Sequence, residues 1–494
     1  MGDARVSPGV REELWRAEAI HPLKSQSASP NLVGSRAMSD VLENQAETIE
    51  SENLLERAWA LGLQAQGGNA SKRDEALRLA IAAFDKEHFQ LTAVALLIQV
   101  LLDAKHTSGV AEACEKLADA YVRRGDLPGA TAASHDADRA AGDGTEIRRG
   151  IAKAFGKGSK RAKEVSPTPP PLPSPAIPDA ALEALSGDAL FQRASKALNL
   201  FVSVTDPVAH GDVPLLPLFS SVEPRALERL LTAFVPRHLA LEEMAIEQHE
   251  AGHEAFIVVR GLLRAERSGP GQEEDLPTLL AQLGPGAIFG EMALVSDAPR
   301  AASVTAQEPA TVLAASREAL EAIAANEPSI GKELGAFSRS RMIANLVRTS
   351  PLLRAIPSSE REQLMSLFVA RTFAEGEALV VQGEEPTGLF LLASGGVRVT
   401  TEDHDDGEPI VVADLGPGDV VGEISIVLRR PASATVVASF PTVALELVRA
   451  QFQDAIKQHP LVLAELYTLA TTRDEELRTV VAQQALDVEE VVLL

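Results

Sequence analysis

The sequence predicts a multidomain α+β protein: α-helical hairpins first, then two β-roll or jelly-roll domains with flanking helices. Three observations carry this. Between residues 74 and 140 apolar side chains recur at three- and four-residue steps. From Pro214 onward the chain repeats itself, at an offset of 134 that falls to 132. Inside each copy, short β-rich runs broken by glycine and acidic turns lie between helical stretches.

The elements follow in order. Residues 1–50 mix Ser, Pro, Gly and charges without sustained periodicity, and are expected to be disordered. Residues 51–157 read as helices. "DEALRLAIAAFDKEHFQLTAVALLIQVLLDA" (74–104) and "ACEKLADAYVRRGDLPGATAASHDADRA" (113–140) are two such units, with Gly125-Asp126 as a turn. In the second unit Leu117, Ala118, Tyr121, Gly125, Ala130 and Ala137 resemble a tetratricopeptide repeat. Ala80, Phe84, Ala93 and Val100 match more weakly, offset by 37 residues. A generic helical bundle remains the alternative. Small residues at such spacing let paired helices approach and leave a concave face open for a protein partner. Residues 158–178, "KGSKRAKEVSPTPPPLPSPAIPD" with its flanks, read as a stiff Pro-rich linker. Connecting helices are expected over 179–213, the two repeated domains over 214–345 and 346–483, and a tail over 484–494.

The repeat is specific. Phe234, Arg237, Gln248, Phe256 and Gly261 find Phe368, Arg371, Gln382, Phe390 and Gly395 at offset 134. "LGPG" stands at 283–286 and again at 415–418, offset 132. The two-residue difference falls in a charged stretch that a loop absorbs.

Composition bounds the function. Of 494 residues 45% are hydrophobic and 4% aromatic, so cores rest on Leu, Val and Ala, and aromatic RNA-stacking platforms are not expected. The net charge is −24, of which residues 1–165 carry only −2 (22 basic, 24 acidic). The acidic remainder repels DNA and anionic membranes. A single cysteine, Cys114, excludes an intrachain disulfide, and the histidines form no metal-ligand pattern. No signal peptide is visible, Val6 replaces the Ser/Thr of a myristoylation signal, and the longest apolar run (91–102) is too short to span a bilayer. A cytoplasmic protein without membrane insertion is expected.

"IFGEMALVSDAPRAASV" (288–304) concentrates the chemistry. Glu291 and Arg300 stand nine residues apart around a short apolar stretch, with small residues after the arginine. Backbone N–H groups at a helix start can cradle a phosphate, and Arg300 can pair with its oxygens. Glu291 accepts only, so it needs a hydroxyl or N–H donor on the ligand. Ala293, Ala301 and Ala302 let a ligand approach the backbone. Together these describe a compact ribose phosphate.

The stretch resembles the phosphate-binding cassette of cyclic nucleotide-binding domains, a family that includes the regulatory subunits of cAMP-dependent protein kinase and the catabolite activator proteins. The resemblance implies that Glu291 holds a ribose 2′-hydroxyl and Arg300 the cyclic phosphate, with Gly290, Met292 and Ala293 forming the backbone nest. It implies cAMP rather than cGMP, because Ala301 stands where a Thr favours guanine. Phe337 and Met342 are candidates to cover the base. His249 interrupts a Gln-Gly-Glu turn that the second copy keeps as Gln382-Gly383-Glu384.

The second copy, "VVGEISIVLRRPASATV" (420–436), keeps Gly422 and Glu423 but has Ala432 opposite Arg300. Its pocket is expected to be degenerate. Arg429 or Arg430 either substitutes for the missing cation or is a surface charge. No kinase, cyclase, P-loop or winged-helix signature is seen. The expected function is therefore a non-enzymatic cyclic-nucleotide receptor or adaptor needing no cofactor. The alternative is a scaffold that binds partners through its helical repeats.

Overall fold

A computed structural model of the chain describes residues 54–66, 68–165, 176–208, 211–216, 218–268, 277–294, 299–354, 356–402 and 409–492. The segment expected to be disordered (1–50) and the Pro-rich run 166–175 lie outside the described residues.

A helix over 54–65 opens the described chain. Ala70–Lys86 and Leu91–Asp103 follow, then Val110–Arg123, Leu127–Arg139 and Gly144–Phe155. Local signals set their ends. Gly125 turns at φ +75°, and Asp126 caps the next helix by accepting from the Gly129 N–H at 2.7 Å. A Cβ on Gly129 would lie 2.8 Å from the Tyr121 ring, so glycine permits the close approach of these two helices. Leu117, Ala118, Ala130, Ala137, Ala80, Phe84, Ala93 and Val100 are all buried. Cys114 is buried in the same core.

Two expectations about the middle of the chain need correction. The helix Gly187–Ser203 is not a connector. Leu190, Phe191, Ala194, Ala197, Leu198 and Phe201 are buried in the core of the first helices. The Arg78 Nη2 donates to the Leu185 carbonyl (2.8 Å), and the Gly187 N–H to Asp74 (3.0 Å). This helix packs on Ala70–Lys86, Leu91–Asp103 and Val110–Arg123. Nor do the ends of the linker stand apart. β1 (Ala162–Lys163) pairs in parallel with β2 (Val213–Pro214), closing the excursion between them. Phe155 and Ile151 share a core with Leu227, Leu230, Leu231 and Phe234, so the helical region and the first repeated domain are packed as one body.

The first repeat holds β3 (Val235–Leu239), β4 (Met244–Ile246), β5 (Glu254–Arg260), β6 (Leu263–Arg267), β7 (Thr278–Leu283), β8 (Ile288–Phe289), β9 (Ser303–Ala306) and β10 (Ala310–Ser316). They form two antiparallel four-stranded sheets, ordered β3-β10-β5-β8 and β4-β9-β6-β7. The second repeat holds β11 (Val369–Phe373), β12 (Ala378–Val380), β13 (Gly388–Ser394), β14 (Val397–Glu402), β15 (Pro409–Leu415), β16 (Val420–Val421), β17 (Thr435–Ala438) and β18 (Thr442–Val448). Its sheets are β11-β18-β13-β16 and β12-β17-β14-β15, the same order strand for strand.

Matched residues do matched work. The Gln248 side chain accepts from the Ser268 N–H (2.8 Å) and donates to its carbonyl (3.1 Å). Gln382 does the same at Glu402 (2.9 and 3.3 Å). Gly261 and Gly395 both sit at positive φ (+83° and +82°), where a Cβ would come within 2.8 Å of the facing strand. His249 adopts φ +71°, the conformation that Gly383 takes at +82°, so the turn survives the substitution. A non-glycine residue there costs about 1–2 kcal/mol. Its ring lies 6.5 Å from that of Phe440 in the second domain.

Helices join the two domains. Arg317–Asn326 and Pro328–Thr349 follow the first, and Arg449–Gln458 and Pro460–Val492 the second. Pro328–Thr349 belongs to both: Ile330 and Leu334 are buried in the first core, Met342 and Leu346 in the second. The last helix runs on to Val492, so residues 484–492 are not a separate tail. No helix among the described residues is long and apolar enough to cross a membrane.

One contact between the helical region and the first barrel is pH-sensitive. The Trp59 ring lies 6.0 Å from that of His238 and under the Arg260 guanidinium at 4.2 Å; Arg260 also pairs with Glu56. Burial pulls His238 down to about 4. The unfolded chain therefore takes up a proton near 6.5, which the folded chain resists until about 4. Stability is expected to fall as pH drops through this window, by on the order of 1–2 kcal/mol at pH 5. Urea unfolding at pH 7.5 and 5, compared between wild type and His238→Gln, checks it: the variant should lose less on acidification.

Candidate functional site

β8 hangs on β5 by the pairs Phe256↔Phe289 and Ile257↔Ile288, and the chain then turns at Gly290. Gly290 has φ +72°, and a Cβ there would lie 2.9 Å from the Glu254 carbonyl and 3.0 Å from Arg300 Nη1. Only glycine fits. Glu291–Leu294 form a short 3₁₀ helix with Glu291 at its start. Residues 295–298 lie outside the described residues.

Arg300 returns to this turn from the far side of the cassette. Its Nη1 donates to the Gly290 carbonyl (3.1 Å) and its Nη2 to that of Glu254 (2.8 Å). Gly252 lies against the guanidinium; a Cβ there would be 2.6 Å from Nε. The backbone of Arg300 is pinned as well, its N–H donating to Glu250 (2.8 Å) and its carbonyl accepting from His249 (2.9 Å). A guanidinium carries five N–H donors, so two fix its orientation and the others can serve an anion. Burial pulls its pKa down, opposed first by Glu254.

Glu291 is 4% exposed, and burial pushes its carboxyl up from the ordinary carboxylate value. The following helix meets it. Arg341 Nε lies 4.0 Å from Glu291 Oε1, and Arg341 Nη2 donates to the Ile288 carbonyl (3.2 Å). Ser338 Oγ donates to the Glu291 carbonyl (3.4 Å). The structure thus gathers Gly290, Glu291 and Arg300, and adds Arg341 and Ser338, which the sequence reading missed. Met292 packs against the core of the second domain, and Ala301 accepts from Arg267 Nε at 3.1 Å. Phe337 packs on the first domain's core, and Met342 is buried in the second's.

In the second copy, Phe390↔Val421 and Leu391↔Val420 reproduce the pairing, and Gly422 turns at φ +83°. Glu423 opens the helix Glu423–Leu428 and is 3% exposed. Ala432, the counterpart of Arg300 in the repeat, is buried among Phe373, Leu379, Val380, Phe390, Val421 and Val436. Arg429 is exposed at φ +55°. Arg430 pairs with Asp474 of the last helix.

Two copies of one eight-stranded double sheet, each with a Gly-Glu turn after the LGPG loop, match the cyclic nucleotide-binding domain family at residues 236–327 and 370–459. The chain carries two cyclic nucleotide-binding domains. Over 222 residues (45% of the chain) it is 27% identical to the cAMP-dependent protein kinase type II regulatory subunit of Drosophila melanogaster, and over 221 residues 28% identical to the cAMP-dependent protein kinase regulatory subunit of Yarrowia lipolytica. The chain spans about half the length of these relatives, 54% of each. The regulatory domain of Toxoplasma gondii PKA with cAMP is 24% identical, with 52% of this chain and 92% of that one covered at a TM-score of 0.26. Among the described residues no cluster of His, Cys, Asp or Glu could hold a metal ion.

Proposed function

We propose that the chain is a cyclic-nucleotide receptor resembling a kinase regulatory subunit, and that its first cyclic nucleotide-binding domain takes cAMP in preference to cGMP. The reading is non-enzymatic: binding changes the surface that the domains and the helical region offer to protein partners. Gly290, Glu291, Met292, Ala293, Arg300 and Ala301 form the site. The observation that carries the reading is the Arg300 fork held on the turn at Gly290, next in sequence to the buried Glu291 whose charge it feels, an anion donor with a hydroxyl acceptor close by.

The switch follows from what now faces Glu291. A ribose hydroxyl donating to this carboxylate competes with Arg341, 4.0 Å away on the helix Pro328–Thr349. That helix has one end in each domain's core, so a shift at Arg341 is felt in both. A ligand moves this equilibrium only by its difference in affinity for the two helix positions.

Thermal unfolding of the full chain with each nucleotide tests the reading. At a hundredfold excess over Kd, cAMP is expected to stabilise by about 2.7 kcal/mol, raising the midpoint of the first domain by about 5 °C or more, and cGMP by less. No shift with either nucleotide would return the chain to a scaffold role.

A further inference from the structure

The two copies differ in how their following helices meet the cassette. Arg341 and Arg473 are equivalent, both 50 residues after the glutamate of their own copy. Each reaches back to the strand before it, Arg341 to the Ile288 carbonyl and Arg473 to that of Val420. In the first copy the contact to the carboxylate is loose, at 4.0 Å. In the second, Arg473 Nη1 donates to Glu423 Oε1 at 3.0 Å, and its Nη2 lies 3.5 Å from Asp419. One residue further on, Asp474 pairs with Arg430 and, at 2.9 Å, with Arg478.

The substitutions behind this difference cluster at one place. At offset 132, Ala287 becomes Asp419, Ala298 becomes Arg430, Arg300 becomes Ala432 and Met342 becomes Asp474. Three of them add charges that hold the last helix to the cassette; the fourth removes the cation a phosphate would need. A buried carboxylate such as Glu423 must be paired, and here the protein supplies the partner from its own helix.

We propose that the second domain is closed by its own last helix, with Arg473 as the built-in occupant of the Glu423 site, so that it binds no cyclic nucleotide and keeps one conformation. An entering nucleotide would have to break the Arg473 contacts to Glu423, Asp419 and the Val420 carbonyl, and would gain no guanidinium in return. The second domain is then a fixed platform against which the first moves. That role for the platform rests on the receptor reading above; the latch itself does not.

Hydrogen exchange by mass spectrometry on the full chain tests it. With the latch residues intact, protection of residues 420–430 and 466–480 is expected to be unchanged by cAMP in an Arg300→Ala background, where the first domain's response is weakened. Arg473→Gln should speed exchange in both segments by about tenfold or more, and Asp474→Asn by less in the same direction. Wild-type exchange in β13 (Gly388–Ser394) and β18 (Thr442–Val448) shows that the second domain of the variants is folded; if Arg473→Gln unfolds it, Asp474→Asn carries the test. Unchanged exchange in the latch variants, or new protection of residues 420–430 by cAMP in the Arg300→Ala background, would overturn the proposal. Failure of the receptor reading would show separately, as no response of residues 288–294 to cAMP in wild type.

Discussion

Arg300→Ala is expected to weaken cAMP binding by about one to two decades, because a charged hydrogen bond contributes about 1.5–3 kcal/mol. Equilibrium dialysis with labelled cAMP reads this directly. The variant also strands the carbonyls of Gly290 and Glu254, which now accept from the guanidinium at 3.1 and 2.8 Å. A stability loss of about 1–3 kcal/mol is expected beside the affinity loss. Arg300→Lys separates the two effects. It keeps the charge but not the fork that holds two carbonyls and an anion together, so its affinity should fall between wild type and alanine. An unchanged affinity in Arg300→Ala would remove the arginine from the site.

Arg124→Ala is expected to destabilise the helical region by about 3–5 kcal/mol, the cost of leaving a buried partner charge unpaired. Arg124 is 9% exposed and Asp206 7%. The pair is two-pronged, at 2.9 and 3.2 Å, and Arg124 Nη1 also donates to the Ala120 carbonyl (2.9 Å). It ties the segment after Gly187–Ser203 to the end of Val110–Arg123. Replacing both partners, as in Arg124→Met with Asp206→Leu, should recover most of the loss. Urea midpoints of the single and double variants decide it: a single variant within about 0.5 kcal/mol of wild type would show that the pair is not a buried one in solution.

Much of the fold was legible because repetition exposes it. Phe256 and Phe390, Gln248 and Gln382, and the two LGPG loops announced two copies, and their neighbours announced sheets. The glycine-glutamate turn was legible too, since the left-handed conformation at Gly290 leaves a mark on the sequence. What stayed hidden depends on contacts between distant residues. Nothing local in "GDALFQRASKALNLFVS" tells that it folds back on helices a hundred residues earlier. Arg341 and Arg473 were visible as a pair at offset 132, yet an arginine on a helix carries no motif, and its meaning lies in the carboxylate it meets. His249 read as a break in a turn because glycine is the usual residue there; the structure keeps the turn and sets the ring beside Phe440.

The central claim is that this chain has one working cyclic-nucleotide site. Calorimetric titration of the full chain with cAMP tests it most directly. The account predicts saturable heat with one cAMP bound per chain; no heat, or two cAMP bound per chain, would contradict it.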